Sequence, residues 1–201
     1  ETSPLPDVGT ITAADVAKAR ADVLQAFERH SLGVPSWIIR HGGNAKLDLS
    51  AHGLAYVAGL TLTPATSGAM TTCVNFRHCE ALCVLSGGRG AFESVRNARS
   101  ARVEALRDYP EAMAVLLAHD VDRLGRMAQG ELWGLRLNVA SDIAWETVAP
   151  WLIRRARFLG GLSYDYTKRW DRDPMPVNGY RLTYSAAGHS VARIAERVAS
   201  G

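Results

Sequence analysis

Lysine is nearly missing from this chain: Lys18, Lys46 and Lys168 stand alone among 23 basic residues, the rest being arginine. Set against 20 acidic residues, the formal net charge is +3, too small by itself to argue for a nucleic-acid partner. Long apolar runs are missing as well, and nothing approaches the ~18 residues that a membrane span requires. The stretch Glu1 to Thr10 lacks the basic and then apolar pattern of a secretory signal. No tandem repeat or low-complexity segment occurs. Cysteine is scarce, with three residues in all, and an odd number of thiols suits a reducing compartment. These absences give the expectation of a soluble cytoplasmic protein with no membrane partner. With 201 residues and 47% apolar content, there is enough material for one sizeable core.

The scarce cysteines are concentrated. Cys73, Cys79 and Cys83 fall within eleven residues in a C-x5-C-x3-C pattern. Three thiols cannot all pair as disulfides, and thiolates are preferred ligands of iron–sulfur clusters and of zinc. A closed structural zinc site wants four ligands, so His78 would have to complete it, in a spacing unlike that of a zinc finger. An iron–sulfur cluster accommodates the shortfall better. Three thiolates suffice for a 3Fe–4S cluster, or for a 4Fe–4S cluster whose fourth iron is open to a small ligand. The plain alternative is three reduced cysteines behaving as small hydrophobes.

Along the chain, residues 1–34 read as a Pro-containing tail and an outer helix, and residues 35–201 as an α/β core whose cysteine loop spans 64–90, the whole forming one domain. The first helix is expected over 12–30, with Thr12 and Asp15 at capping-box spacing. Strands are expected over 37–40, 57–63, 132–139, 158–166 and 180–184, and helices over 91–107, 110–127, 145–154 and 190–198. Strand followed by helix recurs, which argues for a parallel sheet with right-handed crossovers, either doubly wound or TIM-barrel-like. Four or five strands fall short of the eight of a full barrel. Arg89, Arg96, Arg99, Arg102 and Arg107 follow the cysteine loop and spread over more than one helical face. They read as a solvated surface, with a phosphate or nucleic-acid patch as the alternative.

In parallel α/β folds, functional groups collect at the carboxyl ends of the strands. Those ends carry Thr61, Thr63 and the cysteine loop; Asn138, Ser141 and Asp142; Tyr164 to Lys168; and Thr183 to Ser185. Asp142, Asp165 and Lys168 would be the ionisable groups nearest a metal centre, with Asp142 and Lys168 the candidates for proton transfer. Asp142 could equally cap a helix, and Lys168 could be solvated. Trp133, Trp145, Trp151 and Trp170 read as packing residues, and His119 as a satisfied surface or core histidine.

Taken in order, Gly43-Asn44-Ala45-Lys46, the cysteine pattern, Leu135 to Ile143, Tyr164 to Lys168 and Leu182 to Ser185 resemble the phage gene-product-88-like domain family. The resemblance implies a partial TIM-barrel-like scaffold with surrounding helices, in the cytoplasm of an infected host cell. It implies an iron–sulfur cluster on Cys73, Cys79 and Cys83, with Asn138, Ser141, Asp142, Tyr166 and Lys168 lining the same end as cofactor-binding residues. The cluster's role would be redox, sensory or structural, and its open side would face a host or phage protein or a small molecule.

A looser likeness is to radical S-adenosylmethionine enzymes, whose C-x3-C-x2-C spacing this chain does not have. The third alternative is a zinc or nucleic-acid-binding module.

Overall fold

The computed structural model describes residues 3–41, 56–64, 70–73, 83, 88–185 and 191–199. Helix α1 (Ala13–Glu28) starts where the capping pair requires: the Thr12 side chain accepts from the Asp15 N–H, and the Asp15 carboxylate accepts from the Thr12 N–H. This reciprocal cap satisfies two of the donors that every helix start leaves open. Strand β1 (Arg40–His41) is antiparallel to β2 (Val57–Gly59). Helices α2 (Glu93–Asp108) and α3 (Pro110–Met127) follow a short 3₁₀ turn at Gly88–Ala91, with Pro110 at the first turn of α3. Strand β3 (Trp133–Arg136), helices α4 (Trp145–Val148) and α5 (Pro150–Phe158), strands β4 (Gly161–Thr167) and β5 (Tyr180–Tyr184) and helix α6 (Val191–Ala199) complete the order.

The five strands form one open sheet in the order β1-β2-β3-β4-β5, with β2 through β5 mutually parallel. Chain order and spatial order coincide, so no strand order reverses as it would in a doubly wound sheet. Helix α5 packs against β4, and on the other face Val57, Val139 and Tyr164 form a small second cluster. Along β4, Gly161, Ser163, Asp165 and Thr167 are buried while Leu162, Tyr164 and Tyr166 are less so, the period-two alternation of a strand covered on one side. The same alternation places Tyr180 and Leu182 inward and Arg181 and Thr183 outward on β5.

The core lies between that covered face and the helices. Trp133 and Trp145 are fully buried there with Phe27, Leu117, Leu124 and Leu135, each large apolar side chain contributing roughly 1.5–3 kcal/mol of transfer free energy. The Trp133 indole donates to the Leu159 carbonyl at 2.9 Å, which fixes the ring against the start of β4. Gly161 is required at that point, because a Cβ there would lie 2.8 Å from the Ala156 carbonyl oxygen and 2.8 Å from the Trp133 ring. Neither neighbour can move, one being backbone and the other an anchored ring. Gly161→Ala is therefore expected to destabilise the fold by about 1–3 kcal/mol. A wild-type midpoint in a urea titration would contradict that packing.

Four expectations need correction. The strand read over 37–40 is confined to Arg40–His41, because the Ile38 and Ile39 N–H groups donate to the Asp120 carboxylate and not to a neighbouring strand. The segment read as one helix over 145–154 is two helices, because Pro150 lacks the N–H that would continue the first and instead opens the second. Strand β4 begins after Gly160, whose φ of +80° ends α5, so Phe158 is an 89% exposed helical residue and not part of the strand. Between β4 and β5 the chain crosses by the segment 168–179 without a helix, so strand-then-helix does not hold there. Gly43 to Lys46 and most of the cysteine loop, including His78, Cys79 and the Arg89 side chain, lie outside the described residues.

Candidate functional site

The carboxyl ends of β2, β3 and β4 are joined by one buried polar network. Asn138, just past β3, is its knot. Its side-chain oxygen accepts from the Ser141 hydroxyl at 2.8 Å, the Ile143 N–H at 2.9 Å and the Trp145 indole at 3.1 Å, and its amide donates to the Ile143 carbonyl at 2.9 Å. Its backbone N–H donates to Asp165 at 2.7 Å. The Asn138 side chain thus holds the turn that follows β3 in shape, which a buried amide does only when its hydrogen-bonding capacity is met.

That turn presents Asp142, which is 2% exposed. One carboxylate oxygen accepts from Arg172 Nη1 at 3.0 Å, the other from the Lys168 N–H at 2.8 Å. Arg172 also grips Glu146 through Nε at 2.7 Å and Nη2 at 2.5 Å. The Tyr180 hydroxyl donates to Asp165 at 2.9 Å, and Arg172 Nη2 approaches that hydroxyl at 3.4 Å. Burial works against the Arg172 charge, but Glu146 outweighs it and raises the pKa of the guanidinium above its ordinary value. Asp165, fully buried, is pushed up to about 7 by loss of solvent, against the opposing pull of the Asn138 N–H and the Tyr180 hydroxyl.

The cysteine segment is tied to this network through the backbone. The Asp142 N–H donates to the Thr72 carbonyl at 2.7 Å, and the Thr72 hydroxyl donates to the Thr63 carbonyl. Both bonds pin the residue preceding Cys73, whose side chain is buried. Cys83 is half-buried; burial lowers the pKa of the nearby Arg99 guanidinium, and the interaction with Cys83 opposes that shift. Among the described residues no three histidine, cysteine or acidic side chains converge as a metal set. The expected set includes Cys79, which lies outside them.

Of the residues expected at this rim, Asn138, Ser141, Asp142 and Asp165 converge directly, and Lys168 joins through its backbone. Tyr166 does not join them. It lies on the opposite face of β4 from Asp165, 49% exposed, with the Arg136 guanidinium 4.9 Å from its ring centroid. Sequence reasoning passed over Arg172, Glu146 and Tyr180. One signal was available, since Asp142 and Glu146 are four residues apart beside the start of a short helix and need a shared cation if buried. It also read Arg102 as solvated, whereas Arg102 is 7% exposed. Two neighbouring guanidiniums, Arg40 and Arg99, add to burial in lowering the Arg102 pKa to about 10, while Asp120 opposes them.

Asp120, on α3, accepts from the Ile38 and Ile39 N–H groups at 2.6 and 2.9 Å through a single oxygen, and burial pushes its pKa up to about 6. Between pH 4 and 6 the folded chain therefore holds a proton there that the unfolded chain has released. The stability this gives is present below pH 4 and is lost as pH rises through 6. An asparagine oxygen can accept both N–H groups without a charge. Asp120→Asn is thus expected to gain on wild type by up to about 3 kcal/mol between pH 4 and pH 8, while Asp120→Ala loses about 2–4 kcal/mol by stranding two donors. Urea titrations across that pH range check both. A stability difference between Asp120→Asn and wild type that does not change with pH would contradict the buried charge.

Among the described residues no helix is long and apolar enough to cross a membrane. Neither the curated proteins nor the solved structures searched contain a match. A family model described as Gene product 88 matches residues 37–200, which takes in the sheet, the cysteine segment and the network at its carboxyl rim. The chain belongs to the gene product 88 family of phage proteins.

Proposed function

We propose that this protein holds an iron–sulfur cluster on Cys73, Cys79 and Cys83 at the carboxyl rim of its parallel sheet. The observation that carries the reading is the anchoring of Cys73: a buried thiol whose preceding residue, Thr72, is fixed to both Thr63, just beyond β2, and Asp142. The donor chemistry fits. Three thiolates bring negative charge, and the Arg99 guanidinium beside Cys83 is a counter-charge available where the thiolate would be. When bound, such a cluster supplies one-electron chemistry or an iron open to a ligand. The chain's own part is to fix the thiols, limit solvent and hold a cation nearby.

The scaffold supports a partial-barrel reading. Strands β2 to β5 are parallel and adjacent in chain order, as in a barrel wall, and β4 and β5 alternate between buried residues on one face and Tyr164, Tyr166, Arg181 and Thr183 on the other. For a proton-transferring enzyme the support is thinner, because both Asp142 oxygens are committed to Arg172 and to the Lys168 N–H. A redox, sensory or structural cluster protein acting in the host cytoplasm is the preferred reading, with a phage or host protein or a small molecule meeting the cluster's open side.

The test is electron paramagnetic resonance of anaerobically prepared protein before and after adding ferrous iron with dithionite. Three cysteine ligands predict conversion of an oxidised 3Fe signal into a reduced 4Fe signal, because the fourth iron has no protein thiolate. A spectrum silent in both states would overturn the proposal.

A further inference from the structure

On α2, the Nε atoms of Arg99 and Arg102 are shielded from solvent and have no hydrogen-bond partner among the described residues. Each guanidinium is nonetheless held in place by its other edge. Arg99 Nη1 donates to the Gly90 carbonyl at 3.3 Å and Arg102 Nη1 to the Ala98 carbonyl at 2.9 Å. Arg102 is 7% exposed, so its stranded donor bears the full cost of desolvation. Arg40 acts on the charge of Arg102 from the exposed strand β1. The carboxylate that acts on Arg102 is that of Asp120, one oxygen of which already serves Ile38 and Ile39 while the other lies 4.0 Å from Arg123. Three guanidiniums against one engaged carboxylate, with Cys83 the other group that acts on Arg99, leave positive charge in excess.

Fixed, preoriented and unpartnered N–H donors in an excess of positive charge are the equipment of an oxyanion site, since a guanidinium edge matches two oxygens of a tetrahedral anion. The location agrees: Arg99 and Arg102, three residues apart, are neighbours on the surface of α2, and Arg40 pairs with Gly59 at the carboxyl end of β2, the strand end where ligands of parallel sheets bind. We propose that Arg99 and Arg102, with Arg40 at the solvent side, bind the phosphate group of a small molecule. A phosphate dianion matches the excess charge, and Arg40 marks the side from which it enters. The site adjoins Cys83 but does not depend on a cluster being present.

Isothermal titration with inorganic phosphate, and separately with adenosine monophosphate, tests this on the full chain. Wild type is expected to saturate. Arg102→Met and Arg99→Gln should each weaken binding at least tenfold, while Arg126→Gln, which removes the same charge from an exposed position, should leave it unchanged. Tighter binding of the monophosphate identifies a phosphomonoester as the ligand, and equal binding identifies phosphate itself. Circular dichroism confirms folding, and Arg99→Lys, which keeps the charge but loses the Nε donor, serves if Arg102→Met does not fold. Iron and sulfide are measured on the same preparations. Absence of saturable binding to wild type, or equal weakening in Arg126→Gln, overturns the proposal. Loss of iron in the Arg99 and Arg102 variants with no phosphate binding by wild type assigns these guanidiniums to the cluster's charge instead.

Discussion

Arg172→Met is expected to destabilise the protein by about 3–5 kcal/mol near neutral pH, the cost of breaking a buried ion pair from one side. Methionine matches the length of the arginine stem but leaves Asp142 and Glu146 without the cation that now satisfies both. The arrangement gains little from the ion pairs as such, because desolvation offsets most of their attraction. It is the stranding of two carboxylates that is expensive. Since ordinary domains are stable by only about 5–15 kcal/mol, such a loss is a large part of the total. Acidification should recover some of it, because a protonated carboxyl costs less to bury. The damage should also spread to the cysteine segment, whose Thr72 is held by the N–H of Asp142. A variant with wild-type stability at pH 7 would show that the triad is not closed as described.

Cys79→Ser should remove colour, iron and sulfide together while leaving the far-ultraviolet circular dichroism of the sheet and helices in place. Serine is nearly isosteric but is a poor ligand for a soft iron centre, so a three-thiolate cluster has nothing to fall back on. The described core is built mainly by the sheet and the helices, so folding should persist. Full retention of iron and sulfide by the variant would remove Cys79 from the ligand set.

What was legible in the sequence followed from local chemistry. The Thr12 and Asp15 pair announced α1, Pro110 announced α3, and the strand expected over 180–184 matched β5 residue for residue. Strand ends rich in Asn, Ser and Asp pointed to the rim that the fold assembles. What could not be read depends on partners far away in the chain. Asp142 looked like a helix cap or a proton donor until Arg172, thirty residues on, was seen to take one of its oxygens. Arg102 looked solvated because arginine usually is, yet α2 turns it inward beside Ala101 and Ala105. Tyr166 belongs to the same run as Asp165, but the period of a strand sends neighbours to opposite faces, and only one of the two meets the network.

Anaerobic purification followed by quantification of iron, acid-labile sulfide and zinc per chain tests the central claim most directly. A brown protein with about three to four irons and matching sulfide is the predicted result. A colourless protein with about one zinc, or with no metal at all, would contradict it and return the three cysteines to a structural role.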